Sequence, residues 1–122
     1  MKYVVQQIKS LKPITISFLI FFILEVIFFT RFKVIVGSGM SMYPTIKDHT
    51  ILLCKYSNNY KVGDIVYYKV GNNHIVHRII QITEHKMIDN SIIKVYKIKG
   101  DNNEKADMFE VYDENLICKA GD

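Results

Sequence analysis

The sequence predicts an all-β fold: a single N-terminal transmembrane helix followed by a small antiparallel β domain. Three observations carry this expectation. An apolar run occupies Pro13 to Thr30. The residues after it form short β-branched and aromatic runs separated by Gly, Asn and Asp turns, and no amphipathic helical pattern of any length follows. At 122 residues, 49% of them hydrophobic, the chain has room for one such domain and its anchor, and none for a second catalytic domain.

Residues 1–12, with Lys2, Lys9 and Lys12, are read as a cytoplasmic N-terminus. The anchor, residues 13–30, is interrupted only by Thr15, Ser17 and Glu25. As a helix it reaches about 27 Å, against a hydrocarbon core of about 30 Å. The basic flank before it favours a cytoplasmic N-terminus, although Arg31 and Lys33 after it weaken the asymmetry. A cleavable signal peptide is the competing reading, but the run is longer than an h-region and no small-x-small site follows. Glu25 is costly in lipid and is read as facing a partner helix or lying neutral. Residues 1–33 hold five bases and one acid, which is the whole formal charge of +4; residues 34–122 balance. The basic pI of about 9.0 therefore reports a membrane flank, and nucleic acid is excluded as a partner.

Residues 31–122 are read as the β domain. Val34-Ile35-Val36 is a short strand leading to Gly37-Ser38-Gly39-Met40-Ser41-Met42-Tyr43-Pro44-Thr45. Further strands are expected at Thr50–Tyr56, Ile65–Val70, His74–Ile82, Ile92–Lys99 and Asn115–Lys119. Turns at Ser57-Asn58-Asn59, Val62-Gly63-Asp64 and Gly71-Asn72-Asn73 separate the earlier ones, and a polar stretch with Glu84, His85 and Asp89 joins the two long ones. Cys54 and Cys118 lie in strand-like apolar runs without a CxxC or His-spaced partner, so no metal site is expected. They are read as buried free thiols, a disulfide being the alternative if the domain lies outside the cytoplasm.

Gly39 lets a substrate approach the backbone closely, while Pro44 fixes φ and biases Tyr43 toward an extended shape; Ser41 between them is read as a nucleophile. A serine hydroxyl needs a base. His77 is the best available: strand alternation puts it on one face with Ile75 and Ile79, in apolar surroundings that suit a neutral, proton-accepting ring. Taken alone, the serine stretch reads first as a Gly/Ser turn and the histidine first as a core residue bonded to a carbonyl. His49, His74 and His85 are read as ordinary surface or strand residues.

Gly39-x-Ser41-Met42-x-Pro44-Thr45 resembles the nucleophile box of type I signal peptidases, membrane-bound serine proteases that remove secretory signal peptides. Ile75-Val76-His77-Arg78-Ile79 and Lys99-Gly100-Asp101-Asn102-Asn103, with Asp107 beyond, are similar to later boxes of that family in the expected order. The histidine, where many bacterial members carry lysine, makes them resemble the endoplasmic-reticulum type, which also occurs in some bacteria and archaea.

The resemblance implies a Ser-His-Asp site without cofactor or metal: Ser41 as nucleophile, His77 as general base, Asp107 orienting the imidazole and Asp101 as a supporting carboxylate. It implies the Ser41 backbone N–H as oxyanion donor and preprotein signal peptides as substrates, cut after small residues at −1 and −3. It also implies a location in the bacterial plasma membrane with the domain on the extracytoplasmic side, or in the endoplasmic reticulum of a eukaryote. Two departures are noted. Gly39 stands where some members place a second, hydroxyl oxyanion donor, and Ser38 is one position too early for that role. Met108-Phe109-Glu110-Val111-Tyr112 replaces an Arg-containing continuation common in relatives. The rival readings are a Ser-Lys self-cleaving repressor-type peptidase, which needs lysine in place of His77, and a catalytically silent anchored β domain that binds a partner.

Overall fold

The computed structural model describes residues 1–10 and 12–121, which fall into two compact units, Met1–Arg31 and Phe32–Asp122. In the first, α1 spans Lys2–Ser10 and α2 spans Pro13–Arg31. Pro13 opens α2, where its missing N–H would have no helical partner in any case. With none of its residues buried, α2 is long and apolar enough to cross a membrane. The expected anchor is thus a continuous helix, and the N-terminal basic segment is also helical.

The second unit is a seven-stranded antiparallel sheet: β1 Phe32–Gly37, β2 Thr50–Lys55, β3 Ile65–Val70, β4 Asn73–Lys86, β5 Ile92–Lys99, β6 Val111–Tyr112 and β7 Leu116–Ala120. Their order across the sheet is β1-β2-β7-β3-β4-β5-β6, so the last strand inserts between the second and third. This is the all-β domain behind an apolar helix that the sequence predicts. β3 and β4 close through Gly71 (φ 59°) and Asn72, with Val70 paired to Asn73, the two-residue hairpin for which a left-handed glycine is suited. β4 runs further than its apolar part: Glu84 and His85 pair with Lys94 and Ile93, and only then does the Asp89–Ser91 turn reverse the chain. Strand pairing to β5 overrides their polarity.

Alternation along β3 separates two cores. Val66 and Tyr68 face one with Tyr60, Ile79, Tyr96, Ile98, Val111 and Leu116; Ile65 and Tyr67 face another built on Ile35, Cys54, Cys118 and Ala120. Fully burying each large apolar side chain contributes about 1.5–3 kcal/mol. Cys54 and Cys118 are joined in a disulfide with Cα atoms 5.5 Å apart, which corrects the expectation of free thiols. The two lie 64 residues apart in sequence, and only the insertion of β7 beside β2 brings them together. β2 and β7 pair at just Cys54–Ala120 and Lys55–Lys119, so the bridge is a principal tie between the β1–β2 hairpin and the rest of the sheet.

Candidate active site

β1 delivers the chain to the serine turn. Gly39 adopts φ +86°, and its N–H donates to Asp48 Oδ1 at 2.8 Å, an oxygen that also accepts the His49 N–H at 3.0 Å. Buried Met42 and Ile46 pin the turn from below, with Ile46 N–H donating to the Met42 carbonyl. The turn therefore has one supported conformation, and it holds Ser41 half-buried at the edge of a cleft of about 480 Å3. Ser38 also lines this cleft, as do Val36 and the stacked rings of Tyr67 and His74, whose centroids are 5.5 Å apart.

His77 sits on central strand β4 opposite Val66, on the face it shares with Ile75 and Ile79, and is 7% exposed. Its Nε2 lies 2.9 Å from Ser41 Oγ and its Nδ1 lies 2.7 Å from Asp107 Oδ2. Asp107 is fixed by its own N–H, which donates to the Ile98 carbonyl at 2.8 Å. Burial pushes the Asp107 carboxyl up, but the hydrogen bonds it accepts from His77 and Tyr68 outweigh burial and leave its pKa below the ordinary carboxylate value. An ionised Asp107 can only accept, so the imidazole proton resides on Nδ1 and the Nε2 lone pair faces the Ser41 hydroxyl. The Ser41 backbone N–H donates to no group among the described residues.

Asp101 stands apart from His77. It accepts a bidentate fork from Arg78, Nε to Oδ1 at 2.9 Å and Nη2 to Oδ2 at 2.8 Å, and the Thr45 hydroxyl at 2.7 Å. The Arg78 hydrogen bonds, opposed by burial and helped by Thr45, hold its carboxyl at about 2, below the ordinary 3.8. Asp101 thus ties β4 and the serine turn to the 99–103 loop. That loop also grips the turn through its backbone: Asn102 N–H donates to the Ser41 carbonyl at 2.8 Å and its side chain donates to the Met40 carbonyl at 3.0 Å. Gly100 makes this closeness feasible, because a Cβ there would lie 2.6 Å from the Ser41 carbonyl oxygen and 3.0 Å from His77 Nε2. Lys99 donates its ammonium to the Gly100 and Asn103 carbonyls and is turned to closing its own loop.

The three sequence boxes therefore converge on one point, with Ser41, His77 and Asp107 in a hydrogen-bonded row. Sequence reasoning passed over Asp48, Arg78, Thr45 and Tyr68 as site members. Arg78 and Thr45 stand in the histidine and serine boxes and Asp48 lies nine residues from the Gly39 it bonds, while Tyr68 becomes visible only when distant segments meet. Among the described residues no group of His, Cys, Asp and Glu is placed to hold a metal ion.

Compared with known proteins, the chain matches the family model described as Peptidase S24-like over residues 30–89. That is just under half of the chain; it includes Ser41 and His77 and leaves out Asp101 and Asp107. No curated protein and no solved structure matches it. The similarity to Peptidase S24-like proteins is consistent with a serine peptidase-like domain, that is, a serine hydrolase in general.

Proposed function

We propose that this protein is a membrane-anchored serine endopeptidase of the signal peptidase I type, cutting signal peptides from exported preproteins after small residues at −1 and −3. The observation that carries the reading is the row Ser41 Oγ, His77 Nε2, His77 Nδ1, Asp107 Oδ2, with steps of 2.9 and 2.7 Å. Ser41 Oγ attacks the scissile carbonyl carbon as its proton passes to His77 Nε2; Asp107 stabilises the imidazolium through Nδ1–H. The developing oxyanion accepts the free Ser41 N–H. As the intermediate collapses, the C–N bond breaks and Nε2–H protonates the departing amine. Water then repeats the cycle on the acyl-serine, returning the proton to Ser41.

A substrate in extended form would add to a sheet edge beside the cleft, with alternate side chains entering it. The disulfide suits an oxidising compartment, which supports placing residues 31–122 on the extracytoplasmic side of a bacterial plasma membrane, or on the lumenal side of the endoplasmic reticulum. The exposed cross-strand pairs Val34–Leu53 and Val36–Ile51 suit a lipid bilayer beside the domain.

The family similarity also favours a second reading, a self-cleaving repressor-type peptidase. That chemistry calls for a lysine base, and His77 occupies the position while Lys99 is engaged with carbonyls. Incubating the detergent-solubilised protein with a preprotein and reading the new N-terminus by mass spectrometry tests the proposal. Cleavage after a small-x-small pair supports it; a cut only within the protein's own chain favours the second reading, and no cut favours a silent binding domain.

A further inference from the structure

Tyr68 lies on β3 two residues from Val66, the residue opposite His77, and is entirely buried. A buried phenol must place its hydroxyl or lose a hydrogen bond. Its hydroxyl donates to Asp107 Oδ2 at 2.5 Å, the same oxygen that accepts His77 Nδ1 at 2.7 Å. Resting on the reading of Ser41, His77 and Asp107 as a catalytic triad, we infer that Tyr68 is a positioning residue of this site, fixing the orienting carboxylate and keeping it an acceptor.

The need for such a residue follows from where Asp107 lies. An apolar core favours the protonated acid, and a protonated Asp107 would donate to Nδ1, drive the imidazole proton to Nε2 and present Ser41 with an N–H in place of a lone pair. A second donor on Oδ2 opposes that protonation. Tyr68 remains a donor throughout, since burial foremost, and then the Asp107 hydrogen bond, push its phenol far above the usual tyrosine range. The charged and titratable groups around Asp107 are few: His77 from β4 and Tyr68 from β3 face it, whereas Arg78 is spent on Asp101 and Lys99 on loop carbonyls.

Tyr68→Phe removes one oxygen and keeps the ring. The full-length protein in detergent, assayed with a signal-peptide substrate, should lose about tenfold in kcat with KM within about twofold. The acid limb of kcat/KM should move up by about half a pH unit or more, because a carboxylate that has lost one donor holds the proton shared with His77 more tightly, so the pair protonates more readily. Carbon-13 NMR of the Asp107 carboxyl, assigned with Asp107→Asn, should show the same upward move without any need for activity. A purely structural tyrosine would leave both the limb and the carboxyl titration in place, and that result overturns the inference.

Asp107→Asn assayed in parallel separates this failure from that of the triad. If Asp107→Asn is crippled while Tyr68→Phe matches the unaltered protein, only the role of Tyr68 falls; if Asp107→Asn is fully active, the triad itself falls. The unaltered protein provides a reading that needs no Tyr68 variant: a hydroxyl proton protected from exchange at neutral pH and lost in Asp107→Ala. Its absence from the unaltered protein also overturns the inference.

Discussion

Gly100→Ala is a one-carbon change whose effect can be worked from distances. The added Cβ would lie 2.6 Å from the Ser41 carbonyl oxygen, 2.7 Å from Asn103 Nδ2 and 3.0 Å from His77 Nε2, where ordinary contacts begin at 3.4 Å. The Asn103 amide can swing aside, but the Ser41 oxygen is backbone and cannot. The 99–103 loop and the serine turn must therefore separate by about 0.8 Å. Alanine tolerates the backbone shape here, since Gly100 is not among the left-handed glycines, so the cost is steric. The separation should strain the Asn102-to-Ser41 bond of 2.8 Å and displace Ser41 relative to His77, to which it is bonded at 2.9 Å.

Overpacking of this kind costs about 1–3 kcal/mol of stability, and a displacement approaching 1 Å at the reacting atoms costs about a hundredfold in rate. Steady-state cleavage of a signal-peptide substrate beside a thermal melt measures both. A folded Gly100→Ala protein with near-normal kcat would refute the view that this loop sets the position of Ser41.

Other expectations follow from the same geometry. Asp107→Asn should keep the fold and lower kcat by several orders of magnitude through the wrong imidazole tautomer. Asp101→Asn, which leaves Arg78 with half a fork, should act mainly on the melting temperature and only about tenfold on rate; reversed severities in the two assays would exchange their roles. Reducing the disulfide, or Cys54→Ala with Cys118→Ala, should cost about 4 kcal/mol for a bridge of this span and weaken the seating of the β1–β2 hairpin. An unchanged denaturation midpoint under reductant would contradict that. Asp101 titrates at about 2 against an ordinary 3.8, so its contribution, up to about 2 kcal/mol, is full above about pH 4 and is lost as pH falls toward 2. In Asp101→Asn that part of the acid destabilisation should disappear from pH-dependent melts.

Much of the fold was legible because its signals are local. Val34–Val36, Ile65–Val70 and Ile92–Lys99 carry β-branched or aromatic patterns between Gly and Asn turns, and each is a strand. Val111–Tyr112 is too short to show a period, and Glu84 and His85 are held in β4 by pairing alone. The same holds for the site. The neighbours of Ser41 and His77 leave a turn serine and a core histidine open; the resemblance singled these two out, and with them Asp107, which lies within hydrogen-bond distance of His77. That Cys54 meets Cys118 depends on β7 entering between β2 and β3, and that Tyr68 reaches Asp107 depends on a contact across 39 residues. Neither leaves a mark in sequence spacing. Gly100 stands in the third box without a role of its own in the sequence, yet it lets two backbones touch.

The proposed reaction turns on Ser41, activated by His77, cutting a preprotein at its signal peptide. The most direct measurement incubates equal amounts of unaltered and Ser41→Ala protein, both in detergent and both with matching melts, with one preprotein, and reads every new N-terminus by mass spectrometry. A single new N-terminus following small residues at −1 and −3 is expected with the unaltered protein, and none with Ser41→Ala. An identical N-terminus produced by both proteins would contradict it.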